Sequence, residues 1–232
     1  MNMNMNMNMN MNMNNGNITF SVEGNIGSGK TTLLENLTRL YSNSKKIIIL
    51  QEPVGIWEQI KDENDKNILE KFYDDQNKYS FPFQVLAFIS RLSILKKACE
   101  TNKNAIIITE RSLLTDKLVF AKMLYDEGKI EYICYQIYLK WFDEFVNDYP
   151  IHKVIYIKTS PEKCAERITK RSRKGESLIP LDYLQKCDNY HDNMMNELNC
   201  ESIILDGNED IYGNEKILDE WIRQINIEIN DK

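Results

Sequence analysis

The stretch Ile18-Thr19-Phe20-Ser21-Val22-Glu23-Gly24-Asn25-Ile26-Gly27-Ser28-Gly29-Lys30-Thr31-Thr32 decides the fold. Its first six residues are a β-branched, apolar run of strand length. Gly24 to Thr31 then matches G-x-x-x-x-G-K-[ST]. The glycines let backbone N–H groups turn inward around phosphate oxygens. The helix that opens at Lys30 points its N-terminus at the same anion. Lys30 can reach the outer phosphates, and the Thr31 hydroxyl can ligate Mg²⁺. Strand, loop and helix follow in the required order, so the reading is nucleotide binding. A plain glycine turn would not need the lysine and the threonine.

Working outward, four further runs resemble the first: Lys46–Gln51, Ala105–Thr109, Lys153–Lys158 and Ser202–Asp206. Runs this apolar suit strands buried on both faces. Helices are expected over 30–41, 80–101, 112–126, 130–147, 161–172, 181–199 and 212–230, with 61–79 left as loop holding at most a short helix. Strands alternating with helices imply an α/β fold with a mostly parallel sheet. Ligands of such sheets bind at the carboxyl ends of the strands. Glu52-Pro53 follows the second strand and Glu110-Arg111-Ser112 the third. Thr159-Ser160 follows the fourth, ahead of a helix that ends in arginines. Asp206 to Asp210 follows the fifth.

A phosphate loop does not name a reaction. A GTPase needs N-K-x-D after a strand, and Asn102-Lys103-Asn104-Ala105 lacks the aspartate and precedes a strand. A small kinase remains. Glu52 is either a solvated strand-end acid or a base that accepts a proton from an attacking hydroxyl. Glu110 can hold Mg²⁺ through water and Arg111 can stabilise developing charge, unless the two form a structural ion pair. Gln84, Ala87, Phe88 and Arg91 are spaced to share one helix face, and an amide and a guanidinium there need partners. Arg167, Arg171 and Arg173, with Lys170 and Lys174, form a basic cluster at a helix end. It either suits the helix dipole or meets transferring phosphate.

Gly24–Thr32, Glu52-Pro53-Val54 with Trp57, Phe81-Pro82-Phe83-Gln84, Glu110-Arg111-Ser112 and Arg167–Glu176 together resemble the deoxynucleoside kinase family, over about residues 17–211. The resemblance implies a P-loop kinase fold, a five-stranded parallel sheet wrapped by helices with an arginine-rich lid, and a homodimer. It implies ATP as donor with Mg²⁺, held by the loop Gly24, Asn25, Ile26, Gly27, Ser28, Gly29, Lys30, Thr31 and Thr32, with Glu110 assisting the metal. Arg167, Arg171 and Arg173 form the lid, and Asp210 and Ile211 lie in the adenine-contacting loop. Glu52 is the base on the 5′-hydroxyl with Arg111 beside it. Tyr73 and Glu176 bind the sugar 3′-hydroxyl. Trp57, Phe83 and Phe120 line the base pocket, and Gln84 reads the base edge. Arg91 and Asp116 match a pair that marks deoxycytidine- and deoxyguanosine-kinase-like members, which implies deoxycytidine, deoxyadenosine or deoxyguanosine over thymidine. Asp116 could instead pair with Lys117 next to it. His152 and His191 match nothing in the family and read as structural or exposed.

The composition fits this reading. The 232 residues are 42% hydrophobic and 28% charged, with net charge −6, which disfavours a nucleic-acid binder. No apolar run reaches membrane-spanning length. The five cysteines are scattered, as in a reducing compartment; the expected location is the cytoplasm, or the host cytoplasm for a viral protein. Residues 1–16, mostly a Met-Asn repeat, read as a disordered tail and not a signal peptide, and 17–232 as one domain. A nucleoside monophosphate kinase such as thymidylate kinase is the alternative, and a non-enzymatic nucleotide switch a weaker one. The first would need arginines for an acceptor phosphate, where this sequence places Glu52 and Glu110.

Overall fold

The five apolar runs pair in parallel in the computed structural model, which describes residues 16–171, 179–209, 211 and 214–230. The strands are β1 (Ile18–Glu23), β2 (Ile47–Leu50), β3 (Ile106–Glu110), β4 (Lys153–Lys158) and β5 (Glu201–Asp206), in the order β2-β3-β1-β4-β5. Around them lie α1 (Lys30–Leu40), α2 (Val54–Gln59), α3 (Ile68–Asp74), α4 (Gln76–Thr101) and α5 (Leu113–Thr115). A π-helical stretch, Asp116–Ala121, leads from α5 into α6 (Lys122–Asp126). Then come α7 (Tyr132–Phe145), α8 (Pro161–Arg171), α9 (Leu181–Glu197) and α10 (Glu215–Asn230).

Alternation along each strand sends neighbours to opposite faces. Ile107 joins Phe88, Tyr138 and Phe142 beneath α4 and α7, while Ile108 joins Phe20, Leu33, Leu37, Trp221 and Ile225 beneath α1 and α10. Register sets the site's depth. Val22 of β1 stands opposite Glu110 of β3 and Ile155 of β4. The phosphate loop, the Glu110-Arg111 turn and the start of α8 therefore open on one edge of the sheet.

The expected strands and helices are present within a few residues, with two corrections: α2 follows Pro53 where no helix was expected, and the stretch after it is more helical. Residues 61–79 are not mainly loop: they hold α3 and the first turn of α4. A reciprocal cap starts α3, in which Asn67 accepts from the Glu70 N–H and Glu70 accepts from the Asn67 N–H. Asp75 caps α4 by accepting from the Lys78 N–H. Pro82 sits inside α4 at an exposed position, and the helix starts at Gln76, ahead of the expected residue 80.

Candidate active site

The phosphate loop depends on backbone that only glycine adopts freely. Gly24 and Gly27 have φ of 142° and 80°. A Cβ would lie 2.6 Å from the Ile157 carbonyl at Gly24 and 2.7 Å from the Cys164 carbonyl at Gly27. Lys30 is buried, and its Nζ donates to the carbonyls of Gly24 (3.0 Å) and Asn25 (2.6 Å). Burial, then repulsion by Arg111, pulls its pKa down to about 7 against Glu110 and Glu52. The Ser28 carbonyl accepts from Thr159 Oγ1 (3.2 Å) and Arg167 Nη1 (3.3 Å), while Arg167 Nη2 donates to the Glu209 carbonyl (2.9 Å). Arg167 thus joins the phosphate loop to the loop after β5. The Asn25 side chain is structural, donating to the Leu184 carbonyl of α9 (2.8 Å).

Opposite the loop, two guanidiniums converge on one carboxylate. Arg91 Nη2 lies 3.0 Å and Arg111 Nε 3.3 Å from Glu52 Oε1. Arg91 also donates to Asp116 through Nε (2.9 Å) and Nη2 (3.3 Å), and through Nη1 to the Glu110 carbonyl (2.5 Å). The Asp116 partner is therefore Arg91; Lys117 reaches Asp143 instead. Burial alone would raise the Glu52 carboxyl, but Arg111, Arg91 and Lys30 outweigh it and hold it down to about 2. Thr31 Oγ1 donates to Glu110 Oε1 (2.7 Å), and the Glu52 N–H to Glu110 Oε2 (3.3 Å). A hydroxyl and a carboxylate, both hard oxygen donors at the phosphate loop, fit Mg²⁺.

A cavity of about 450 Å³ joins these groups. Of the expected site residues, Ile26, Gly27, Ser28, Gly29, Lys30, Thr31, Thr32, Glu52, Trp57, Tyr73, Phe83, Gln84, Arg91, Glu110, Arg111, Asp116, Phe120, Arg167, Arg171 and Ile211 line it. Trp57 stands edge-on to Phe83 at 5.4 Å and donates through Nε1 to Ser90 (2.8 Å). The Gln84 side-chain carbonyl is buried with no hydrogen-bond partner among the described residues. Arg173, Glu176, Asp210 and the Met-Asn repeat lie outside the described residues.

Sequence reasoning missed Phe72, Tyr183 and His191. Phe72 was hidden because α3 was read as loop; it lines the cavity and packs on Phe83 at 4.9 Å. Tyr183 lines the cavity from α9. His191 is completely buried, and its Nε2 lies 3.3 Å from Arg111 Nη1. For the last two no signal was available, since each is a single residue on the amphipathic helix α9.

The sequence model of the family described as deoxynucleoside kinase matches residues 20–230. The chain belongs to the deoxynucleoside kinase family. As such it is a phosphotransferase that acts on nucleosides. Deoxynucleoside kinases similar to it include a probable deoxycytidine kinase of fowlpox virus, 37% identical over 77% of this chain and 72% of the relative. Deoxycytidine kinase 2 of Gallus gallus is 31% identical over 87% and 86%. Human mitochondrial thymidine kinase 2 is 31% identical over 74% of this chain and 62% of that protein. Among the described residues, no helix of this deoxynucleoside kinase is long and apolar enough to cross a membrane.

The arginine–carboxylate cluster sets a test of stability. Burial already raises the Asp116 carboxyl, with Arg91 pulling the other way. Arg91→Met strands that carboxylate and should cost about 3–5 kcal/mol in urea unfolding near neutral pH. A carboxyl pKa raised in the folded state adds stability as pH falls through it. The deficit should therefore shrink as pH falls from neutral toward the ordinary carboxyl range. A deficit independent of pH would contradict the pairing.

Proposed function

We propose that the chain transfers the γ-phosphoryl group of ATP to the 5′-hydroxyl of a deoxynucleoside, with Glu52 as the group that receives the hydroxyl. The observation that carries this reading is a carboxylate, clamped by Arg91 and Arg111, in one cavity with the phosphate loop. A neutral hydroxyl can approach Glu52 and donate to it. An acceptor phosphate would meet Glu52 and Glu110, which argues against a nucleoside monophosphate kinase.

The steps follow from the residues. Loop N–H groups and Lys30 bind the outer phosphates, displacing Lys30 from the Gly24 and Asn25 carbonyls. Thr31 and Glu110 would hold Mg²⁺, which would supply charge that neutralises the donor phosphates. Arg167 and Arg171, with Arg173, stabilise the equatorial oxygens. Tyr73 and Glu176 hold the 3′-hydroxyl, and Asp210 and Ile211 lie along the donor adenine. The 5′-oxygen forms its bond to γ-phosphorus as the bond to the β,γ-bridging oxygen breaks, and the hydroxyl proton passes to Glu52. A carboxylate held near pKa 2 is a weak base. It suffices because, in a loose transition state, the alcohol becomes strongly acidic only as the P–O bond forms. Arg111, next to the same carboxylate oxygen, aligns it and meets developing charge.

The base rests among Trp57, Phe83 and Phe120, with Gln84 at its edge. The partnerless Gln84 carbonyl calls for an N–H donor, and the Arg91–Asp116 pair fixes the polar groups near an exocyclic substituent. The Gln84 carbonyl would accept from thymine N3–H as readily as from an amino group, so it is the second feature that favours an amino-bearing base or a purine over thymine, whose methyl group needs that space. A homodimer is supported by Ile133, Ile137 and Trp141, exposed at helical spacing on α7, beside exposed Ile89 on the neighbouring α4. A cytoplasmic enzyme, in the host cytoplasm if viral, is supported by five free cysteines and by the fowlpox virus relative.

Two experiments test this reading. Glu52→Gln keeps an acceptor for both arginines but cannot take a proton. It should lower kcat by roughly 10²–10⁴-fold, with the KM for ATP near wild type; wild-type turnover would remove Glu52 from the chemistry. In competition among the four deoxynucleosides, kcat/KM for deoxycytidine, deoxyadenosine or deoxyguanosine should exceed that for thymidine. The double variant Arg91→Met, Asp116→Ala should erode that ranking. A wild-type preference for thymidine, or an unchanged ranking in the variant, would show that the pair does not read the base.

A further inference from the structure

His191 is one of only two histidines in the chain. It lies on α9, away from every motif that marks the site. Its Nδ1 is 2.6 Å from the Cys187 carbonyl, and its Nε2 is 3.3 Å from Arg111 Nη1. A carbonyl only accepts and a guanidinium only donates. Nδ1 therefore carries the proton and Nε2 is an acceptor, which fixes the neutral ring in one tautomer. Burial and the adjacent Arg111 charge keep the ring from protonating, well below the ordinary histidine value.

The ring is held on a firm support. It faces Tyr156 of β4 at 6.5 Å and Phe120 edge-on at 6.1 Å. Its helix is tied to β4 by Lys158 with Asp188 and Asp192, and by Tyr156 Oη donating to Asp192 (3.0 Å). Asn25 ties the same helix to the phosphate loop.

What the ring contacts is equally defined. Arg111 has φ of 62°, an unusual backbone conformation for a side chain of that size. Such conformations persist where the surroundings over-determine them. Nη1 of Arg111 donates to the Gly24 carbonyl (2.8 Å) and meets His191, Nε meets Glu52, and the guanidinium lies over Phe120 at 4.9 Å. Nη2 has no protein partner among the described residues.

We propose that His191 is a positioning residue for Arg111: as an acceptor on Nη1 it fixes the guanidinium rotation that presents Nε to Glu52 and leaves Nη2 for the substrate. Without it, the guanidinium plane can turn about the Gly24 contact, and the ion pair between Nε and Glu52 loses its alignment. The inference rests on the role given above to Arg111.

The test compares His191→Phe, His191→Gln and Arg111→Lys, with kcat and KM for both substrates and thermal melting for each. Gln offers Oε1 roughly where Nε2 stood; Phe fills the space and accepts nothing. His191→Phe should lower kcat about 10–100-fold, the scale of a small misplacement of a reacting group. Both KM values should stay within about threefold, because the contact acts on transition-state alignment and not on uniform binding. His191→Gln should recover most of the loss. Equal kcat in the Phe and Gln variants would overturn the inference. If Arg111→Lys is impaired while His191→Phe is not, the His191 inference fails and the reading of Arg111 stands; if Arg111→Lys turns over normally, both fail. Nitrogen-15 NMR of the intact wild-type protein decides even where a variant does not fold. The signal that survives His152→Asn should show protonated Nδ1 and unprotonated Nε2 near neutral pH. A protonated Nε2 would overturn the inference.

Discussion

Two buried arginines share one carboxylate, and much of the acceptor side depends on that arrangement. Desolvating Arg91 is costly, and Asp116 and Glu52 outweigh the cost, so its guanidinium charge is held more firmly than in water. The arrangement also organises three chain segments. Arg91 comes from α4, Glu52 from the turn after β2 and Asp116 from the π-helical stretch. By donating to the Glu110 carbonyl, Arg91 also fixes the turn that carries Arg111. Breaking any one pair leaves a buried charge with less compensation.

The donor side is held by backbone instead. Gly24 and Gly27 allow strand and helix backbone to approach within distances that a Cβ would forbid. Arg111 reaches across to the Gly24 carbonyl, so the two halves meet at one residue. Below it, Glu23 of β1 is buried and accepts from the hydroxyls of Ser21 and Thr115. Thr115 exchanges capping bonds with Ser112, the residue after Arg111. The turn between β3 and α5 is thus pinned from the loop strand, from α4 and from α9. In a reaction where the protein mainly positions and stabilises charge, that rigidity is the catalytic contribution of the fold.

How much of this was legible in the sequence varies with its physical origin. The sheet was, because β1, β3 and β4, buried on both faces, are written as continuous apolar runs; the edge strands β2 and β5 share that pattern although β2 is half-buried and β5 mostly exposed. The phosphate loop was, because its geometry requires glycine at fixed spacing. The Arg91 face of α4 was, because polar residues at helical spacing on an apolar face need partners. The start of α4 was placed late and α3 was read as loop, although Asn67 with Glu70 and Asp75 ahead of Lys78 are capping signals of ordinary strength. The partner of Asp116 was open between Arg91 and the adjacent Lys117, since proximity in sequence and in space compete there. His191 could not be found, because its meaning comes from α9 crossing behind a turn eighty residues away.

The central claim is that a clamped carboxylate, facing the phosphate loop, selects a neutral hydroxyl as the acceptor. The most direct measurement supplies ATP with deoxycytidine in one reaction and with deoxycytidine monophosphate in another, at equal concentrations, and follows ADP together with the phosphorylated product. The account predicts that deoxycytidine 5′-monophosphate accumulates in the first while the second stays at the ATP-only background. Faster turnover of the monophosphate, giving the diphosphate, would contradict it.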